Sequence, residues 1–199
     1  MPRQVGTTGR AAIVPRSEFE RLLVAIKCRT YPARDRAIAC VSFYLGLRAK
    51  EIAALRLDDI YTRDGEVRAV LHLRPAYSKK GRMRDVYMSS EQLRSALSSY
   101  RLVRQAASWS EPLFPTRTGR HFTPNGMVQL FRDMYAQAGI EGASSHSGRR
   151  TMITRLAEMG VDLKAIATLA GHASIATTCI YVENNPARLA RIMGQVDFD

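Results

Sequence analysis

The chain has 199 residues, 46% of them hydrophobic, enough for one packed domain and too few for a second large one. Lysine and arginine total 30 against 18 acidic residues, and the formal charge of +12 attracts a polyanion such as nucleic acid or an anionic membrane face. No stretch reaches the about 18 uninterrupted apolar residues of a membrane span, and MPRQVGTTGR at the start lacks the apolar centre of a signal peptide.

The expectation is a soluble, cytoplasmic protein. Cys28, Cys40 and Cys179 show no CxxC or Cys/His spacing, so they read as reduced packing residues, not as disulfide partners or zinc ligands. Residues 1–16, polar and carrying three arginines, read as a flexible basic arm, and residues 17–199 as the folded domain. SEFERLLVAIK (17–27) predicts a helix with Ser17 as N-cap and an apolar stripe of Phe19, Leu22, Leu23 and Ile26. A second helix is predicted over 33–45, stopped by Gly46, and a third follows in RAKEIAALRL (48–57). The pattern then turns to β: EVRAVLHL (66–73) and RMRDVYM (82–88) flank a turn with glycine and lysines. Helical periodicity returns over 91–107, 124–138, 147–159, 162–170 and 174–182, and PARLARIMGQ predicts a short tail helix opening on proline. The fold class is therefore mainly α with one small antiparallel β-sheet.

The basic residues recur along the whole chain, which suits a surface wrapped around backbone phosphates better than a detachable tail. Among them Arg48 follows a Gly-Leu turn at a helix start, and Arg149 stands three residues after His146, which on a helix gives the two one face. Phosphodiester transfer adds negative charge to the non-bridging oxygens, and a planar, permanently charged guanidinium can grip two of them at once. His146 and His172 can donate to a phosphate oxygen or move a proton near neutral pH. His72 and His121 read as ordinary structural histidines. Lys79, or Lys80 beside it, lies in the predicted hairpin turn, from which an ammonium can protonate a departing alkoxide. Tyr181 is a candidate nucleophile: a phenol with a pKa of about 10 attacks phosphorus only where neighbours take its proton and stabilise its oxyanion.

In order and spacing this set resembles the catalytic domain of the tyrosine recombinase (phage integrase) family, over roughly residues 15–193. YLGLRAKEIAALRLDDI (44–60) is similar to that family's first-arginine box, with Arg48 as the arginine and Glu51 as its helix-mate. SKKGRMRDVYMS (78–89) is similar to the hairpin that carries the lysine, the S-K-x-G form favouring Lys79, although Tyr87 stands where the family commonly has proline. SSHSGRRTMITRLAEMGVDLKAIATLAGHASIATTCIYV (144–182) is similar to the second-arginine box, with His146, Arg149, His172 and Tyr181 in register and Arg150 where histidine is frequent.

The resemblance implies a transesterification that needs neither metal nor other cofactor nor ATP. Tyr181 attacks a phosphate of double-stranded DNA, giving a 3′-phosphotyrosyl bond and a free 5′-hydroxyl. Arg48, Arg149 and His172 hold the non-bridging oxygens, His146 assists proton transfer at the tyrosine, and Lys79 protonates the leaving oxygen, with Lys80, Glu51 and Arg150 in support. Arg82, Arg84 and Arg120 are the expected DNA contacts. The resemblance further implies a tetramer on paired DNA sites, a monomer or dimer free of DNA, and localisation with the nucleoid. Most relatives carry an N-terminal helical domain that closes a clamp on DNA; sixteen arm residues are too few for one, and whether a separate protein is the partner that supplies that clamp stays open. A DNA-binding accessory or regulatory protein with the same fold, and a type IB topoisomerase, are the competing readings. The target sequence, the outcome (integration, excision, inversion or dimer resolution) and whether the tail packs in cis or in trans stay open.

Overall fold

The computed structural model describes residues 11–77, 83–181 and 193–194. In chain order it contains helices α1 (Arg16–Ile26), α2 (Pro32–Leu45), α3 (Ala49–Ala54) and α4 (Leu57–Ile60), strands β1 (Val70–Leu73) and β2 (Arg84–Tyr87), and helices α5 (Glu91–Val103), α6 (Pro124–Gln137), α7 (Ser147–Glu158), α8 (Leu163–Ala170) and α9 (Ile175–Cys179). β1 and β2 pair antiparallel, Val70 opposite Tyr87 and Leu73 opposite Arg84. The expected mainly helical fold with one small sheet is what forms. Among the described residues no helix is long and apolar enough to cross a membrane.

α2 is buried on nearly all sides, with Ile38, Cys40, Val41 and Leu45 in the core, because α1, α5 and α7 each cover a face of it. Gly148 marks the α2–α7 crossing: a Cβ there would stand 2.9 Å from the carbonyl carbon of Ser42 and 3.0 Å from the Phe43 ring. This close approach brings the start of α7 to the C-terminal end of α2, the geometry from which the site is built. A second, smaller apolar cluster of Ile153, Ala157, Ile166 and Ala170 joins α7 to α8, and Tyr181 packs against it.

Several boundaries move from their predicted places. Residues 11–16 are not part of a flexible arm: Ala12 N–H donates to Gly142, Val14 N–H donates to Thr151 Oγ1 at 2.9 Å, and Val14 is fully buried. α1 accordingly starts at Arg16, with Pro15 rather than Ser17 at the N-cap position and Phe19 N–H donating to the Pro15 carbonyl. Residues 1–10 lie outside the described residues. The predicted third helix is two short ones, α3 and α4, and the strand predicted from residue 66 starts at Val70, because Arg68 N–H donates back to Ile60. α5 ends at Val103, not residue 107: the Glu111 carboxylate accepts from the N–H groups of Ala107 and Ser108 and turns the chain. Of the cysteines only Cys40 is a packing residue; Cys28 and Cys179 are exposed. The predicted tail helix (186–195) falls almost wholly outside the described residues.

Gly148→Ala tests the crossing. The gain in helix propensity of about 1 kcal/mol is outweighed by overpacking against Ser42, so urea unfolding should show a net loss of roughly 1–2 kcal/mol.

Candidate active site

Arg149 lies on α7 with 4% of its surface exposed, a depth at which a guanidinium is costly unless its N–H groups are met. Two helix ends meet them. Nη1 donates to the Gly46 carbonyl at 2.8 Å, at the close of α2, and Nη2 to the Ala170 carbonyl at 2.6 Å, at the close of α8. Carbonyls at helix C-termini carry partial negative charge, so they orient the cation without cancelling it. A guanidinium has five N–H donors, and three remain for another acceptor. Burial, then the charges of Arg48 and Arg84, push its pKa down to about 10, while Glu51 and Tyr181 act the other way.

Both helix ends need glycine. Gly46 and Gly171 adopt left-handed backbone, φ 60° and 66°. A Cβ on Gly46 would sit 2.6 Å from the Met152 methyl, and one on Gly171 would sit 2.7 Å from Arg84 Nη1.

Arg48 is the N-cap residue of α3, at the helix start where the sequence places it. Its backbone N–H donates to Glu51 Oε2 at 2.8 Å and its Nη1 to Oε1 at 3.2 Å. The same carboxylate receives both Nη groups of Arg84 from β2, at 2.8 and 2.9 Å. Burial alone would raise the Glu51 pKa; the Arg84 hydrogen bonds and charge, with those of Arg48, overcome it and hold it below its ordinary 4.5. Arg84, for which the sequence suggested a DNA contact, is thus paired internally with Glu51, with a side chain 10% exposed. Asp59 repeats the device one helix later. At the third position of α4 it accepts from Arg56 N–H, Arg74 Nε and the Tyr77 hydroxyl. Two buried carboxylates, each closing the first turn of a short helix, therefore grip the two sides of the hairpin.

His146 is the N-cap residue of α7 and lies just before the helix, so it does not share a regular helical face with Arg149. Burial of part of the ring and the charges of Arg149 and Arg48 lower its pKa. His172 follows the α8 C-cap, its N–H donating to Ala167. Its Nδ1 is 2.8 Å from Thr178 Oγ1, and its ring stacks on that of Tyr181 with centroids 5.7 Å apart and planes 18° off parallel. Desolvation, then Arg149, Arg48 and Arg84, push its pKa down to about 4, so the imidazole is neutral at pH 7.

The other predicted residues divide. Arg150 donates to the Ala11 carbonyl at 2.7 Å and ties down the N-terminal segment. Arg120 is exposed in the turn between Pro115 and His121. His72 pairs with Asp85 across the strands, and His121 bonds the Ala53 carbonyl. Lys79, Lys80 and Arg82 lie outside the described residues. Sequence reading missed Asp59 and Thr178; the signal for Asp59 was its match to the R-x-x-acid spacing of Arg48 and Glu51.

Arg149 bonds Gly46, two residues before Arg48, and Ala170, two before His172, whose ring stacks on Tyr181, so these residues converge with His146 at the start of α7. The profile of the phage integrase family matches residues 13–188. The chain belongs to that family. It is 35% identical over 199 aligned positions to tyrosine recombinase XerD of Caulobacter vibrioides, covering 91% of this chain and 60% of that protein. It is 29% identical over 181 positions to tyrosine recombinase XerC of Roseiflexus castenholzii, covering 87% and 55%. The chain therefore spans little more than half the length of these relatives. The crystal structure of XerA recombinase superposes with a TM-score of 0.74 at 26% identity, covering 100% of this chain and 68% of that one. The Tn1549 transposon integrase, solved with a circular intermediate DNA, shares the fold with a TM-score of 0.77 at 18% identity, covering 95% and 67%.

Breaking the buried pair by Glu51→Gln leaves the guanidinium groups unopposed. Urea titration should read a loss of about 3–5 kcal/mol. A second expectation concerns pH. Between the ordinary histidine value of 6.5 and about 4, the unfolded chain binds a proton at His172 that the folded chain refuses. The contribution is complete above pH 6.5 and is lost as pH falls toward 4, so melting temperature should fall over that window, and His172→Gln should flatten part of the slope.

Proposed function

We propose that this chain is the catalytic part of a site-specific DNA recombinase that cuts and rejoins double-stranded DNA through Tyr181. The observation that carries the reading is Arg149, a cation held at depth by two helix-end carbonyls, with three N–H donors uncommitted and Arg48, His146, His172 and Tyr181 around it. Such a group favours an anion whose charge grows during the reaction, as on the non-bridging oxygens of a phosphodiester under attack. The formal charge of +12 suits the backbone of a duplex.

The Tyr181 oxygen attacks phosphorus, and a 3′-phosphotyrosyl bond forms as the P–O5′ bond breaks. His146 accepts the phenol proton, directly or through water; its lowered pKa keeps it a free base at neutral pH. Arg48 and Arg149 bind the non-bridging oxygens, and His172, neutral and stacked on Tyr181, adds a third donor. Lys79 supplies the proton to the departing 5′ oxygen. The phosphotyrosyl ester keeps the energy of the broken bond, so attack by a 5′-hydroxyl rejoins strands without ATP or metal. Exchange between two duplexes takes four such sites, so the working assembly is a tetramer on DNA, with a clamp around each duplex completed by a further domain or protein.

Plasmid DNA carrying the sequences that flank the gene, incubated in EDTA with the chain and with Tyr181→Phe, tests this on denaturing gels. A protein joined to a 3′ end in the parent alone is the expected result. DNA binding with no covalent product in either would favour the accessory-protein reading, and relaxation of supercoils without a preferred site would favour a topoisomerase.

A further inference from the structure

The hydroxyl of Thr178 has no task in the reaction outlined above, yet it is placed like a working part. Thr178 lies on α9 and is fully buried. A threonine inside a helix commonly turns its hydroxyl back to a carbonyl one turn earlier. Here Oγ1 lies 2.8 Å from His172 Nδ1 instead, while the Thr178 carbonyl accepts from the Tyr181 N–H at 2.9 Å. One residue thereby holds the imidazole through its side chain and the tyrosine through its main chain. Ser174, whose side chain accepts from Ala176 N–H, starts the short helix that sets this spacing.

A neutral imidazole carries one N–H, and a hydroxyl can donate or accept. If Nδ1 carried the proton it would donate to Thr178, and Nε2 would present a lone pair, which repels a phosphate oxygen. If Thr178 donates to Nδ1, the proton resides on Nε2 and the ring offers a donor. Arg149, Arg48 and Arg84 act on the ring with positive charge, which draws an anion toward it, and Tyr181 covers one face. The neutral ring serves as an anion donor only in the Nε2–H form.

We propose that Thr178 is a positioning residue for His172, its hydroxyl donating to Nδ1 so that the imidazole presents Nε2–H to the substrate phosphate and stays parallel to the Tyr181 ring. The role rests on the recombinase reading for its consequence, but the hydrogen bond and tautomer exist without DNA. The β-branch of threonine restricts χ1 and so holds the hydroxyl toward the histidine.

The test uses the full chain with Thr178→Val, Thr178→Ser, His172→Gln and the Thr178→Val, His172→Gln double variant. Nitrogen-15 spectra of the histidine side chains should show Nε2–H at His172 in the parent and in Thr178→Ser, and a mixture of tautomers in Thr178→Val. In single-turnover cleavage of a duplex carrying the site mapped by covalent capture, Thr178→Val should be roughly tenfold slower, the loss of one hydrogen bond to the reacting group. Thr178→Ser should restore most of the rate, and Thr178→Val should cost nothing further in the His172→Gln background. An Nδ1–H tautomer in the parent overturns the proposal. So does an unchanged rate in Thr178→Val, a serine variant as slow as valine, or an equal loss with and without His172. If the parent cleaves no DNA, the recombinase reading fails, while the spectra still decide the Thr178–His172 contact.

Discussion

The structure turns on a guanidinium placed where water cannot solvate it. Arg149 is tolerable at its depth only because α2 and α8 both end against it, with the Gly46 and Ala170 carbonyls aimed at its two Nη groups. That requirement fixes where two helices stop. It also makes a left-handed glycine necessary at each end, since a side chain at Gly46 would strike Met152 and one at Gly171 would strike Arg84. Gly148 is required for a related reason, since α7 must approach α2 closely before its arginine reaches the carbonyls. The result is a cation oriented by dipoles and left with its charge, which is the electrostatic condition for stabilising an anionic transition state.

The carboxylates do the opposite work. Glu51 and Asp59 are both spent on structure. Each accepts the N-cap N–H of its own short helix and binds an arginine of the hairpin, Arg84 or Arg74. The hairpin strands are anchored on both sides through these pairs, at Arg74 just after β1 and at Arg84 in β2. Arg48 and Arg84 share one carboxylate near the site centre, and burial, then the charges of Arg149 and Arg48, lower the pKa of both His172 and His146. In the proposed reaction, neutral histidines beside permanent cations divide the labour: arginine supplies charge, and imidazole supplies a directed hydrogen bond or a base.

Much of this was legible before any coordinates. Arg48, His146, Arg149, His172 and Tyr181 stand in an order and spacing that singled them out, and the structure brings them together. Helix positions came from apolar periodicity and the end of α2 from Gly46, while the caps at Ser90, Thr123, Asp162 and Gly171 are findings of the structure. The pairing of Arg84 with Glu51 was not legible, because a basic residue on a hairpin looks solvent-facing until the acid is seen opposite it. Residues 11–16 were misread because their polar composition says nothing of Thr151, which receives Val14 N–H from a distant part of the chain.

The division has a physical reason. The amino-acid sequence by itself determined most of the described helices, the two strands and the identity of the charged groups, because propensity, capping and patterning act over a few residues. Only the tertiary structure decided what each charge does. Arg149 finds Gly46 across 103 residues of chain, and Arg84 finds Glu51 across 33, so whether an arginine fields its charge or neutralises an acid depends on contacts that no local pattern encodes.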